Sequence, residues 1–240
     1  LEKKRSLFDI QLNAIYDDEE NPTKKECEFI LHDFRVSHNN SFISKETAEK
    51  TLHTLKDTPI VARYYDESDI GEGDDALGDH EAYLGELRGS GDPYVELRTV
   101  PIGVFTEPAY IKTIEDENGE EIEVVAGKGV LWASRFPNPI GLLQEWVSEG
   151  IDVVSSMEIL YDSYKVEDGT EEILSYCYDG HCILNSENRG DHDRVAPAYD
   201  VSKLTRLVAQ ALHTKNEQKE GEKMGDMFKK VFELSHNDIR

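Results

Sequence analysis

The chain has 240 residues, 38% of them hydrophobic and 32% charged, enough to bury one core beneath a heavily charged surface. Its 50 acidic residues against 26 lysines and arginines give a net charge of −24, a field that repels nucleic-acid phosphates and anionic membranes. A halophilic origin would give the same balance. Cys27, Cys177 and Cys182 are too few for a disulfide framework and lack zinc-type spacing, so free thiols in a reducing compartment are expected. No apolar run is long enough to span a membrane, and the start lacks the apolar segment of a signal peptide. The chain opens at Leu1 without a methionine and ends in S-H-N-D-I-R, as a piece of a longer protein would.

Residues 1–25 form an N-terminal extension that mixes charge with a short apolar patch. The first strand is expected over residues 26–36, C-E-F-I-L-H-D-F-R-V from Cys27 onward. After a polar turn, Ser44 is placed to cap a helix whose Ala48, Leu52 and Leu55 share one face. Pro59 stops that helix, and residues 60–64 read as the next strand. Residues 65–78 carry six carboxylates among glycines and read as a solvated loop. An EF-hand is the alternative, but Ile70 stands where its fifth position needs an oxygen ligand.

Residues 96–105 lead into T-V-P-I-G-V-F. Strands over 110–114 and 121–126 flank Asn118-Gly119, a hairpin signal. Another strand is expected over 129–134. Pro139 opens a helix with Ile140, Leu143, Trp146 and Val147 inward, and Gly150 closes it. Residues 151–161, I-D-V-V-S-S-M-E-I-L-Y, alternate with the period of a half-buried strand. Adjacent serines in such a strand face opposite ways, Ser155 packing inward beside Met157 and Ser156 facing out. A one-residue slip would exchange them. Short strands follow over 172–178 and 181–184, then a helix over 200–213 with Leu204, Leu207, Val208 and Ala211 on one face.

Residues 215–223 hold no apolar side chain and read as a linker. Residues 224–240 resume an amphipathic pattern and begin a scaffold or docking segment. One domain over 26–214 is therefore expected, mostly β with helices (α+β), either a closed barrel or a two-layer sheet. No phosphate-binding glycine loop and no internal repeat occurs.

Among the eight histidines, His80 closes the acidic stretch in L-G-D-H-E, and His181 opens an apolar strand. A serine hydroxyl needs a base within hydrogen-bond reach, itself oriented by a third group. Ser155 or Ser156, His80 and His181 supply those types. Structural histidines, or a zinc site of His80, His181 and His192 with acidic residues, are the rival readings.

The order of His80, T-V-P-I-G at 99–103, a serine strand, and a His181 strand leading to V-A-P-A-Y at 195–199 resembles the prohead maturation proteases of tailed bacteriophages. These are similar to herpesvirus assemblins. The resemblance covers roughly residues 29–212. It implies a seven-stranded barrel wrapped by helices and a serine endopeptidase of Ser-His-His type, without cofactor or metal. Ser156 would be the nucleophile (Ser155 the alternative), His80 the base, His181 its orienting partner and Arg189 the support for the oxyanion. A neutral third imidazole stabilises the imidazolium less than a carboxylate, so slow turnover is expected. Its substrates would be scaffold and major capsid proteins inside the procapsid, with self-cleavage at the linker and assembly as a homo-oligomer. It would bind neither nucleic acid nor membrane. Glu158 departs from the pattern, standing where that family has a small residue two places after its serine. Asp79 and Glu81 beside His80 either raise its basicity or belong to the acidic loop. An inactive capsid scaffold on the same fold is the alternative function.

Overall fold

A computed structural model of the chain describes residues 21, 23–66, 74–116 and 118–207. In chain order the elements are β1 (Lys25–Asp33), β2 (Ser41–Ile43), α1 (Lys45–Thr51) with a 3-10 turn (Leu52–Leu55), β3 (Pro59–Ala62), β4 (Tyr64–Tyr65), β5 (Ala76–Leu77), β6 (Ala82–Glu86) and β7 (Pro93–Leu97). Then come β8 (Val100–Phe105), β9 (Tyr110–Glu115), β10 (Glu121–Leu131), α2 (Pro137–Glu149), β11 (Ser155–Glu167), β12 (Thr170–Ile183) and β13 (Lys203–Leu207). The fold is mostly β with helices, the α+β class expected.

One nine-stranded sheet dominates. Its path runs β11-β12-β3-β8-β10-β1-β13, with β2 attached to β12 and β9 to β10. Two small sheets, β4-β5 and β6-β7, stand apart from it. The large sheet curls, and Ser155 N–H in β11 donates to Ser202 O, the residue just before β13, at 3.1 Å. Its concave side encloses Phe29, Leu55, Phe105, Leu131 and Trp146, all fully buried. β1 is buried along most of its length because it lies between β10 and β13, with Cys27, Phe29 and Leu31 in the core.

Local chemistry sets the elements. Ser44 Oγ accepts from Thr47 N and caps α1. Asp116 Oδ1 accepts from Asn118 N and Glu120 N, shaping the turn in which Gly119 takes φ +79°. Prolines occupy the first turn of α2, and Gly150 ends it in the left-handed conformation.

The structure corrects three expectations. The segment 200–213 is not a helix over its described part, because residues 203–207 pair with β1 as β13. K-L-T-R-L also alternates with period two, and the free edge of β1 decides between the two periods. Residues 121–131 form one strand rather than two. Gly127 and Gly129 lie inside it where a Cβ would strike Leu55 or the Val104 carbonyl, so these glycines serve close packing and not a break. Residues 170–183 are likewise continuous as β12.

Residues 67–73 of the acidic stretch, the extension over 1–20, and residues 208–240 with the proposed linker and tail lie outside the described residues. No helix among the described residues is long and apolar enough to cross a membrane.

Candidate active site

In the antiparallel pair β11–β12, Ser156 stands opposite Cys182 and Glu158 opposite Gly180. Side chains alternate along a strand, so these four positions share one face. Val154, Cys182 and Leu184 form a small apolar cluster there with Val61. Ser155 belongs to the other face: it is fully buried, and its Oγ has no hydrogen-bond partner among the described residues. Of the two serines, Ser156 is the one that reaches a cavity to which both alternating sets of β11 side chains contribute. It lines a cavity of about 550 Å³ together with His80, Met157, Ile159, Tyr161 and Tyr199.

The short segment after β5 brings His80 to that face. Gly78 N–H donates to Arg63 O, and Asn185 N–H donates to Gly78 O, so the segment is tied to β3's end and to the loop beyond β12. Asp79 Oδ1 accepts from Glu81 N at 2.6 Å, and Glu81 accepts hydrogen bonds from the hydroxyls of Tyr65 and Tyr83, both at 2.7 Å. Burial works against the Glu81 anion. The two tyrosine hydroxyls and Arg63 nonetheless hold its carboxyl below the ordinary value. Asp79 and Glu81 thus fix the turn that presents His80.

His80 Nδ1 lies 2.8 Å from Glu158 Oε1. The Glu158 side chain is 14% exposed. It rests on Gly180, where a Cβ would come closer to its carboxylate than real Cβ atoms approach anything. Immediately after this pair the register slips, with Glu158 opposite Gly180 but Ile159 opposite Tyr178. The extra residue, Asp179, makes a β-bulge that bends the hairpin at the site. Sequence reasoning treated Glu158 as a departure and missed it as the partner of His80. The visible signal was its period-two spacing from Ser156. Among the described residues no hydrogen bond joins Ser156 Oγ to His80.

The other two proposed members stand elsewhere. His181 alternates onto the core face, fully buried, with its ring centroid 4.9 Å from that of Phe29 and 5.6 Å from that of Phe105. Among the described residues neither ring nitrogen has a hydrogen-bond partner, and burial, with a smaller contribution from His80, pushes its pKa down to about 3. The carboxylate of Glu158, not His181, therefore contacts the His80 ring. Arg189 reaches the carboxylates of Glu145, Glu187 and Asp75, the last at 3.0 Å, and it is absent from the cavity lining. Its guanidinium clamps α2 to the end of the acidic stretch rather than facing Ser156. His192 stacks near Tyr65, with centroids 4.2 Å apart. His80, His181 and His192 do not converge. The metal-capable group among the described residues is instead His80, Glu158 and Cys182, whose ligand atoms lie within 4.8 Å of one another.

A family model described as the YonD N-terminal domain matches residues 23–232. The chain is 48% identical over 248 residues to the "SPbeta prophage-derived uncharacterized protein YonD" of Bacillus subtilis (strain 168), an alignment covering 99% of this chain and 51% of that protein. The chain thus spans about half the length of the curated relative it matches. No solved structure matches it.

Proposed function

We propose that this chain, which belongs to the YonD N-terminal domain family, is a serine endopeptidase that processes scaffold and capsid proteins during phage head maturation. The observation that carries the reading is the 2.8 Å contact between His80 Nδ1 and Glu158 Oε1, beside a cavity that His80 shares with Ser156. A carboxylate on Nδ1 fixes the tautomer that leaves Nε2 as the basic nitrogen. Nε2 would take the proton from Ser156 Oγ as the hydroxyl attacks the scissile carbonyl and return it to the leaving amine. Glu158 would stabilise the imidazolium formed between those steps. With a carboxylate in the third place, the slow turnover expected of a second imidazole no longer follows.

The phage setting draws on the prophage origin named for the relative and on the resemblance to prohead proteases. In this reading the protein acts as a homo-oligomer inside the procapsid and trims its own C-terminal part. A seven-stranded barrel is compatible with the seven strands on the main path of the curled sheet.

A fluorophosphonate probe tests the chemistry. The purified protein should be labelled at Ser156, and Ser156→Ala should lose both label and cleavage of a scaffold substrate. Undiminished labelling or cleavage by Ser156→Ala would reject the nucleophile. The second reading, an inactive capsid scaffold, is favoured by the missing hydrogen bond between Ser156 and His80. It predicts no labelling of the unaltered protein under conditions where it is folded.

A further inference from the structure

Cys182 plays no part in the proposed chemistry, yet it stands opposite Ser156 and beside the His80–Glu158 pair. Three donors of different kinds meet here, an imidazole nitrogen, a carboxylate oxygen and a sulfur, from three separate segments of the chain. A four-coordinate zinc ion, with bonds of about 2.0–2.3 Å, holds its ligand atoms roughly 3.5 Å apart. Their present mutual spacing of at most 4.8 Å lies about one ångström from that geometry.

We propose that His80, Glu158 and Cys182 bind one zinc ion, or a divalent ion of similar softness, with a fourth position open to the cavity. The donor set suits this class: thiolate and imidazole select zinc over magnesium or calcium, and a carboxylate completes many such sites.

The supporting shell is already built. The Asp79–Glu81 turn fixes the backbone that carries His80, and the Cys182 thiol donates weakly to Asp79 O across 3.6 Å, a contact that the S–metal bond would replace. Burial and the carboxylates of Glu158, Asp79 and Glu81 all keep the Cys182 thiol protonated by raising its pKa. A divalent cation reverses that balance, because it neutralises the carboxylates and displaces the thiol proton to solvent. Coordination replaces the S–H bond with an S–metal bond, and nothing is oxidised. The ion would also occupy the His80–Glu158 contact, so if the serine endopeptidase reading holds, zinc would switch the enzyme off. Zinc would bind these three side chains whether or not Ser156 is a nucleophile.

Cobalt(II) reports the site without any activity measurement. Titrating the chelator-treated protein should give one cobalt per chain and a thiolate-to-cobalt charge-transfer band, which zinc removes by competition. Cys177→Ser should keep the band, Cys182→Ser should lose it, and Glu158→Gln should weaken binding about tenfold or more. X-ray absorption of the unaltered zinc-loaded protein should show one sulfur neighbour at about 2.3 Å, so the proposal does not rely on Cys182→Ser folding well. A shell of nitrogen and oxygen alone, a band that survives Cys182→Ser, or no stoichiometric binding would overturn it.

Discussion

The carboxylate of Glu158 fills the space that a Cβ on Gly180 would need. The two residues face each other across β11 and β12, so the position of the His80 partner depends on a missing side chain one strand away. Gly180→Ala should therefore displace Glu158 from His80. The expected result is a loss of about 10²-fold in turnover or probe labelling, with an overpacking cost of about 1–3 kcal/mol read by denaturant unfolding. Unchanged labelling by a folded Gly180→Ala protein would argue against a role for the Glu158 contact.

Glu158→Gln keeps the shape and removes the charge. A neutral amide favours the wrong His80 tautomer and cannot stabilise the imidazolium, so turnover should fall by up to about 10⁴-fold. Stability should change little, because the contact is to a partly exposed ring. Kinetics and thermal unfolding of the same preparation check both halves.

His181→Phe separates two accounts of the site. The ring sits edge-on to Phe29 and Phe105 with neither nitrogen hydrogen-bonded among the described residues, so an apolar ring of similar size should be neutral or stabilising. If Glu158 orients His80, labelling at Ser156 persists; if His181 is the third member, labelling is lost.

The same histidine, with His32, makes the fold sensitive to acid. Burial lowers His181 to about 3 and His32 to about 4, from an ordinary 6.5. Between those values the unfolded chain binds protons that the folded rings refuse. Stability is thus complete above pH 6.5 and falls as the pH drops toward 4, by about 1.4 kcal/mol per unit for each ring. Urea midpoints measured from pH 7 to pH 5 should show this slope, and His181→Phe should remove one ring's share of it.

Much of the scaffold was legible because its signals are local. Ser44, Asn118-Gly119 and Gly150 act within a few residues of themselves and mark the boundaries expected of them, while Pro139 lies in the first turn of a helix that begins two residues earlier at Pro137. Alternation over 151–161 placed Ser155 in the core and Ser156 on the other face. What could not be read depends on partners distant in sequence. Gly180 resembles a break until Glu158 is seen against it, and residues 203–207 fit a helical stripe until β1 offers an edge. His181 was drawn toward the site by its chain order, although a single step of alternation separates it from Cys182 and turns it to the core. Arg189 followed the family's loop, but the sequence did not disclose the three carboxylates that surround it.

Arg189→Gln tests that clamp. Three carboxylates would lose their shared cation, and since all of them are partly exposed the cost should be about 1–3 kcal/mol rather than that of a fully buried pair. Turnover per folded molecule should be retained, whereas an oxyanion role would lower it by about 10²-fold or more.

The hydrogen bond from Ser155 N–H to Ser202 O sets a schedule for synthesis. β1 leaves the ribosome early but stands between β10 and β13, and the backbone beside Ser156 is tied to a residue made long afterwards. Chains emerge at about 5–20 residues per second, and the strand carrying Ser156 stays incompletely anchored until residue 202 is out. A nascent chain therefore closes the sheet beside Ser156 only after residue 202 has emerged.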